Sequence, residues 1–242
     1  VWIRQGIKAR RTRNEGRVRA LEAMRQERSD RRERTGTASF AVEDAARSGK
    51  IVAELEHVGH AFGGRPVIGD FSTVIRRGDR IGIVGANGAG KSTLVKILLG
   101  ELQPDAGRVR LGSKLQVAYS DQLRGHLDPD KNLIDNVCGG QDFIDIGSRR
   151  RHAISYLGDF LFSPERVRMP VRALSGGEQN RAVLAKLLSR PANLLVLDEP
   201  TNDLDIETLE LLEEILLGFD GTVLLVSHDR EFMDNVVTSL FV

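Results

Sequence analysis

The stretch Gly85-Ala86-Asn87-Gly88-Ala89-Gly90-Lys91-Ser92 carries the spacing G-x-x-x-x-G-K-S. Glycines placed this way let successive main-chain N–H groups turn inward around an anion, and a helix starting there adds the positive end of its dipole. Lys91 would reach the terminal phosphates of a nucleoside triphosphate as a fixed cation. Ser92, with Thr93 beside it, would bring a hydroxyl to Mg²⁺. A second group follows the apolar run Leu194-Leu195-Val196-Leu197, which ends in Asp198-Glu199-Pro200. Two carboxylates then sit at the C-terminal edge of a buried strand, where open α/β sheets take their ligands. Asp198 can hold the cation through water, and Glu199 can accept a proton from an attacking water. A third group, Leu174-Ser175-Gly176-Gly177-Glu178, opens a helix and offers a hydroxyl and free N–H groups to a second anion. Alone, that Ser-Gly-Gly turn is commonplace; its place between the other two gives it meaning.

The flanking pattern supplies the scaffold. Arg80 to Val84 reads as a buried strand and Lys91 to Leu99 as a helix stopped by Gly100. Ile51 to Val58 alternates like a half-buried strand, Gly63-Gly64 marks a turn, and Phe71 to Ile75 gives another strand. Gly107 to Leu111 and Leu115 to Tyr119 look like a pair of strands. From about 122 to 190 the strand pattern fades, Pro129, Pro164 and Pro170 interrupt, and a helical insertion is expected, closing with the helix Gln179–Leu188. Leu194 to Leu197, Thr222 to Val226 and Val236 to Val242 return to strand pattern, with helices at Asp205–Leu217 and near Arg230. Alternating strands and helices imply an α/β fold with a largely parallel sheet.

With these three motifs in this order, residues 51–242 resemble the ATP-binding cassette superfamily. The resemblance implies ATP and Mg²⁺ as ligands, ATP hydrolysis as the activity, and a phosphate-loop ATPase domain with a helical subdomain at about 122–190. It assigns Gln122 as a Mg²⁺-sensing residue and Thr201-Asn202-Asp203-Leu204-Asp205 as a loop at the interface, with Asp203 near nucleotide. His228 becomes a switch residue at the γ-phosphate, and Phe62 the ring stacked on adenine, with His60 as its rival. Ser175, Gly176, Gly177 and Glu178 would serve the ATP of a partner cassette. The continuation Glu178-Gln179-Asn180-Arg181 and the opening Thr201-Asn202 resemble the soluble ABC-F class, whose members hold two cassettes in one chain and mostly act on ribosomes. The Asn-Asp-Leu-Asp loop makes a ribosomal role transfer less directly than the activity does.

Composition agrees with a non-membrane chain: 40% hydrophobic and 29% charged residues, a mean hydropathy of −0.23, and no long apolar run or secretory signal. The single Cys138 allows no internal disulfide, so a reducing cytoplasm fits. Val1 in place of Met suggests a piece of something longer. Charge is uneven. Residues 1–34 hold twelve basic residues against five acidic, so the rest of a chain with net charge +1 is acidic. Residues 1–36 lack Pro and read as a basic helical linker arm with too thin an apolar seam for a core helix. Its partner is RNA of the ribosome, DNA, or another helix; a solvated helix held by i,i+4 pairs is the plainer alternative. Residues 37–50 read as a connector. Three functions follow: an ATPase acting on the ribosome or ribosomal RNA, one gripping DNA in repair, or a transporter motor. The motif details and the basic arm disfavour the transporter motor and with it a membrane subunit.

Overall fold

The computed structural model describes residues 4–6, 49–120, 127–146, 149–202 and 204–242. The expected arm beyond residue 6, most of the connector, Gln122 and Asp203 lie outside the described residues.

Strands run Arg4–Gly6 (β1), Ile51–Phe62 (β2), Arg65–Arg76 (β3) and Arg80–Ile83 (β4), followed by helix α1 (Lys91–Leu98). Then come β5 (Ala106–Leu111), β6 (Val117–Tyr119), α2 (Leu133–Cys138), the hairpin β7 (Phe143–Ile146) and β8 (Arg149–His152), α3 (Ala153–Asp159) and α4 (Pro164–Val167). The chain continues through α5 (Gly176–Leu188), β9 (Leu194–Asp198), α6 (Ile206–Gly218), β10 (Thr222–Val226), α7 (Arg230–Val236) and β11 (Ser239–Phe241).

The core sheet has the order β1-β11-β4-β10-β9-β6, parallel except where β1 pairs antiparallel with β11. Strands buried on both faces must be apolar throughout, and their side chains alternate between two cores. On β9, Leu195 and Leu197 join the helical layer, whereas Leu194 and Val196 face α1 and the second sheet. On β10, Val223 and Leu225 divide from Leu224 and Val226 in the same way. The second sheet is antiparallel, of order β3-β2-β5. It packs Leu55, Val58, Phe71 and Ile75 onto the core sheet and α1.

Three expectations are corrected. The strands at 107–111 and 115–119 are not partners: β5 pairs with β2 in the antiparallel sheet, and β6 lies beside β9 in the core sheet. The helical insertion contains the β7–β8 hairpin, whose four-residue strands are too short to raise a periodic signal. Opposite charges at Asp145 and Arg150 face each other across it. Ion pairing of Arg151 with Asp159 at 2.6 Å ties the hairpin to α3. Arg4–Gly6, expected as helix, forms an edge strand, because β11 offers main-chain partners and Gly6 is a poor helix former. In addition, Val236 ends α7, so the last strand starts only at Ser239.

Candidate functional site

Strand register decides which residues meet. Val226 of β10 stands level with Ile83 of β4 on one side and Asp198 of β9 on the other. The three parallel strands therefore end together, and the residues just beyond them (the glycine-rich loop, Glu199 and His228) converge on one sheet edge. Helix α1 starts there, with its N-terminus aimed at the same place. Gly90 caps it at φ 96°, and an added Cβ would lie 2.4 Å from Val67 Cγ1. Only glycine fits both the left-handed backbone and the space.

A cleft of about 340 Å³ opens at this edge, lined by Phe62, Val67, Asn87, Gly88, Gly90, Lys91, Ser92, Thr93, Asp198 and Glu199. Val67 is an addition the residue pattern did not reveal, because nothing in its type distinguishes it from any other strand valine. Lys91 is only 9% exposed. Its ammonium donates to the carbonyls of Gly85 at 2.8 Å and Ala86 at 3.2 Å. No carboxylate among the described residues forms an ion pair with it. Removing an ammonium from water costs on the order of several kcal/mol, and carbonyl dipoles offset that only in part. The position favours an anion.

Ser92 Oγ donates to Asp198 Oδ2 at 3.4 Å. A hydroxyl and a carboxylate this close, at the mouth of a phosphate-sized cleft, are the hard oxygen donors that Mg²⁺ takes alongside substrate phosphates and water. The residues present therefore fit that ion. Among the described residues no cluster of three His, Cys, Asp or Glu gathers elsewhere to hold a metal.

Glu199 follows Asp198 with φ 47°. A left-handed backbone in a non-glycine residue costs about 1–3 kcal/mol and persists only where its surroundings fix it. Here the Glu199 amide donates to the Val226 carbonyl at 2.8 Å. Its Oε1 lies 3.2 Å from His228 Nε2. His228 Nε2 also lies 3.2 Å from Lys91 Nζ and 3.2 Å from Asn87 Oδ1. Of the two candidates for a stacking ring, Phe62 is 55% exposed and lines the cleft, whereas His60 is 8% exposed and lies behind it.

Ser175 to Glu178 do not line this cleft. They form the N-terminus of α5, closed by a capping box. The Glu178 amide donates to Ser175 Oγ at 3.3 Å, and the Ser175 amide to Glu178 Oε2 at 2.8 Å. Ser175 and Gly176 are exposed. The Glu178 carboxylate is fully engaged, because Arg166 also grips it through Nε at 2.8 Å and Nη2 at 3.0 Å. Burial alone would raise that carboxyl, but the Ser175 amide and hydroxyl and the Arg166 guanidinium outweigh it and hold it below the usual glutamate range. Arg181 reaches from α5 to Asp205 Oδ2 at 3.2 Å and Thr208 Oγ1 at 3.0 Å. Asp205 caps α6 by accepting from the Thr208 amide at 2.7 Å. A Cβ at Gly177 would come within 2.9 Å of Asp205 Oδ2, so the two helix starts are packed at glycine distance. Arg166 carries no motif that would have singled it out in the sequence; Arg181 closes the stretch Glu178-Gln179-Asn180-Arg181, but nothing in that stretch announces its contact with α6.

The ABC transporter family matches residues 68–202, more than half of the chain and all of the described cleft lining except Phe62 and Val67. The chain belongs to the ABC transporter family. This cassette is 60% identical, over its whole length, to the ATP-binding protein Uup of Escherichia coli (strain K12), of which it covers 38%. It is 40% identical to the energy-dependent translational throttle protein EttA of the same strain, with 99% of the chain and 43% of the relative aligned. The ABC-F resemblance drawn from the motifs is thus borne out. The cassette spans about two-fifths of these relatives. Its fold resembles cbiO1 from Clostridium perfringens, described as part of the ABC transporter complex cbiONQ. The TM-score is 0.57 at 22% identity, over 75% of this chain and 80% of that one. No helix among the described residues is long and apolar enough to cross a membrane.

Proposed function

We propose that this cassette hydrolyses ATP, and that within a longer two-cassette ABC-F protein the resulting closure acts on the ribosome or its RNA. One observation carries the first part: Lys91, nearly buried and without an acidic partner among the described residues, stands beside Ser92, Asp198 and Glu199 in a single cleft. Lys91 and the loop N–H groups hold the β- and γ-phosphates, and Phe62 covers the base. Ser92 and Asp198 hold Mg²⁺, which when bound spreads the charge of the phosphates. Glu199 takes the proton of the attacking water, and His228 steadies the γ-phosphate oxygens. Gln122 and Asp203 belong to the same site in this reading.

Exposed Ser175 and Gly176 lie outside the cleft, which supports a composite site in which they complete the ATP site of a second cassette. The ribosomal part rests on the translational function in the name of EttA and on the arginine-rich segment 1–36.

Two measurements test the reading. Specific ATPase activity of this chain should rise with its concentration; a high turnover independent of concentration would remove the composite site. The full-length protein with Glu199→Gln, saturated with ATP, should co-sediment with ribosomes. Capture of DNA instead would move the function to the genome, and capture of neither would end the nucleic-acid part.

A further inference from the structure

Phe62 lies at the end of β2 with more than half of its surface exposed. A ring so open binds a base well only if something behind it fixes its plane, since ordering a loose side chain subtracts from binding. His60 stands there. Its ring meets that of Phe62 at 85° with centroids 4.7 Å apart, an edge-to-face contact.

His60 is itself held by Asp105, from the turn before β5. Asp105 Oδ2 accepts from the Ala61 amide at 2.7 Å and lies 3.2 Å from His60 Nδ1. The Asp105 amide donates to the Gly59 carbonyl at 2.9 Å. The aspartate is thus fastened to the strand on both sides of His60, and its carboxylate rests against the imidazole. His60 is 92% removed from water, and neither of its ring nitrogens has a hydrogen-bond partner among the described residues, so the carboxylate holds the imidazole by proximity and charge. Neither residue lines the cleft.

We propose that His60 and Asp105 are positioning residues for the base of the nucleotide: they lock the plane of Phe62, and so contribute to affinity for ATP without touching it. This rests on the reading of the cleft as an ATP site.

The test compares two ligands on the chain as it stands: MgATP, and magnesium tripolyphosphate, which has the phosphates but no base. Phe62→Ala sets the ceiling and should weaken ATP about tenfold, the scale of one base–aromatic stack, with tripolyphosphate unchanged. His60→Ala should weaken ATP roughly three- to tenfold, again sparing tripolyphosphate. The double variant should bind ATP no worse than Phe62→Ala alone. His60→Phe restores a ring edge and should recover most of the loss, and Asp105→Asn should shift ATP affinity in the same direction as His60→Ala. Equal loss of both ligands in His60→Ala would mean a general structural role and overturn the proposal. So would unchanged ATP affinity, or losses that add to those of Phe62→Ala. If Phe62→Ala leaves ATP affinity intact, the stacking assignment fails and the proposal with it. If unaltered chain binds tripolyphosphate no worse than ATP, the ATP reading itself fails.

Discussion

Lys91 Nζ lies 3.2 Å from His228 Nε2, and that same nitrogen lies 3.2 Å from Glu199 Oε1. An ammonium only donates and a carboxylate only accepts, so one imidazole nitrogen cannot serve both. Unprotonated, it accepts from Lys91; protonated, it donates to Asn87 Oδ1, with the Glu199 carboxylate close beside it. An anion that draws the Lys91 ammonium toward itself frees Nε2 to donate. The cation proposed to hold phosphate and the acid proposed to take the proton are thereby linked through one atom.

Replacement of His228 by Ala removes that link and the proposed contact to the γ-phosphate, but leaves Lys91 and the loop N–H groups, on which most of the phosphate binding rests in this reading. ATP affinity should change by less than about threefold, while single-turnover hydrolysis falls by about two orders of magnitude, the scale of one lost transition-state donor. Stopped-flow binding and quenched hydrolysis separate the two. A parallel fall in affinity would assign His228 to ground-state binding.

Glu199→Gln keeps size and hydrogen bonding but removes the proton acceptor. Hydrolysis should fall by about two to four orders of magnitude with ATP binding retained.

Lys91→Ala acts on the opposite term. It removes the one cation among the described residues that line the cleft, so ATP affinity should fall at least about tenfold, as expected for a charge-assisted contact to phosphate. Equilibrium titration with a fluorescent ATP analogue reads this directly, and equal affinity in the two proteins would count against the phosphate loop.

Much of this site was legible because its motifs fix backbone geometry. The loop at 85–92, the acids at 198 and 199 and the capped helix at 175 each announce a strand end or a helix start by residue type. What joins them was not legible. The convergence of Glu199 and His228 depends on the register of β9 and β10 with β4, which no local pattern encodes. Asp105 and Arg181 act through contacts 44 and 24 residues away in sequence, and as residue types they look like any surface acid or helix arginine. Phe62 and His60 differ in burial, and that was not legible because alternation along β2 is broken there by register shifts on either side of His60.

Acid should loosen the junction of α5 and α6. The Asp205 carboxyl is held below the usual aspartate range, first by the Thr208 hydroxyl and then, against burial, by the Thr208 amide and Arg181. Glu178 is lowered too. A lowered folded value means that the stabilisation is complete above the ordinary carboxylate range and is lost as pH falls through the folded value. Urea midpoints should therefore hold steady near neutrality and drop below about pH 4. Asp205→Ala should cost about 0.5–2 kcal/mol at pH 7, as a lost N-cap does, and flatten the acid decline. An unchanged slope would place the acid sensitivity elsewhere.

The last prediction concerns residues 1–36, whose basic excess is densest between Lys8 and Arg19, where six bases face a single acid, Glu15. A run of this kind, if it grips a nucleic-acid backbone, displaces condensed counterions, so the log of affinity falls linearly with the log of salt concentration. The slope is about −0.7 to −0.9 per phosphate neutralised, and four or five engaged arginines give roughly −3 to −4. Because phosphate contacts position without reading bases, affinities for RNA of different sequence should agree closely. Arg10→Glu, Arg11→Glu and Arg13→Glu together should flatten the slope by about two to three, while ATP affinity at Lys91 stays as it was, since the described residues that line the cleft lie between 62 and 199. Fluorescence anisotropy on labelled RNA and DNA oligonucleotides at four or five salt concentrations gives both quantities. A slope indifferent to the triple reversal would show that the arm packs on protein, as a helix paired with the rest of a longer linker, and that the nucleic acid is held elsewhere.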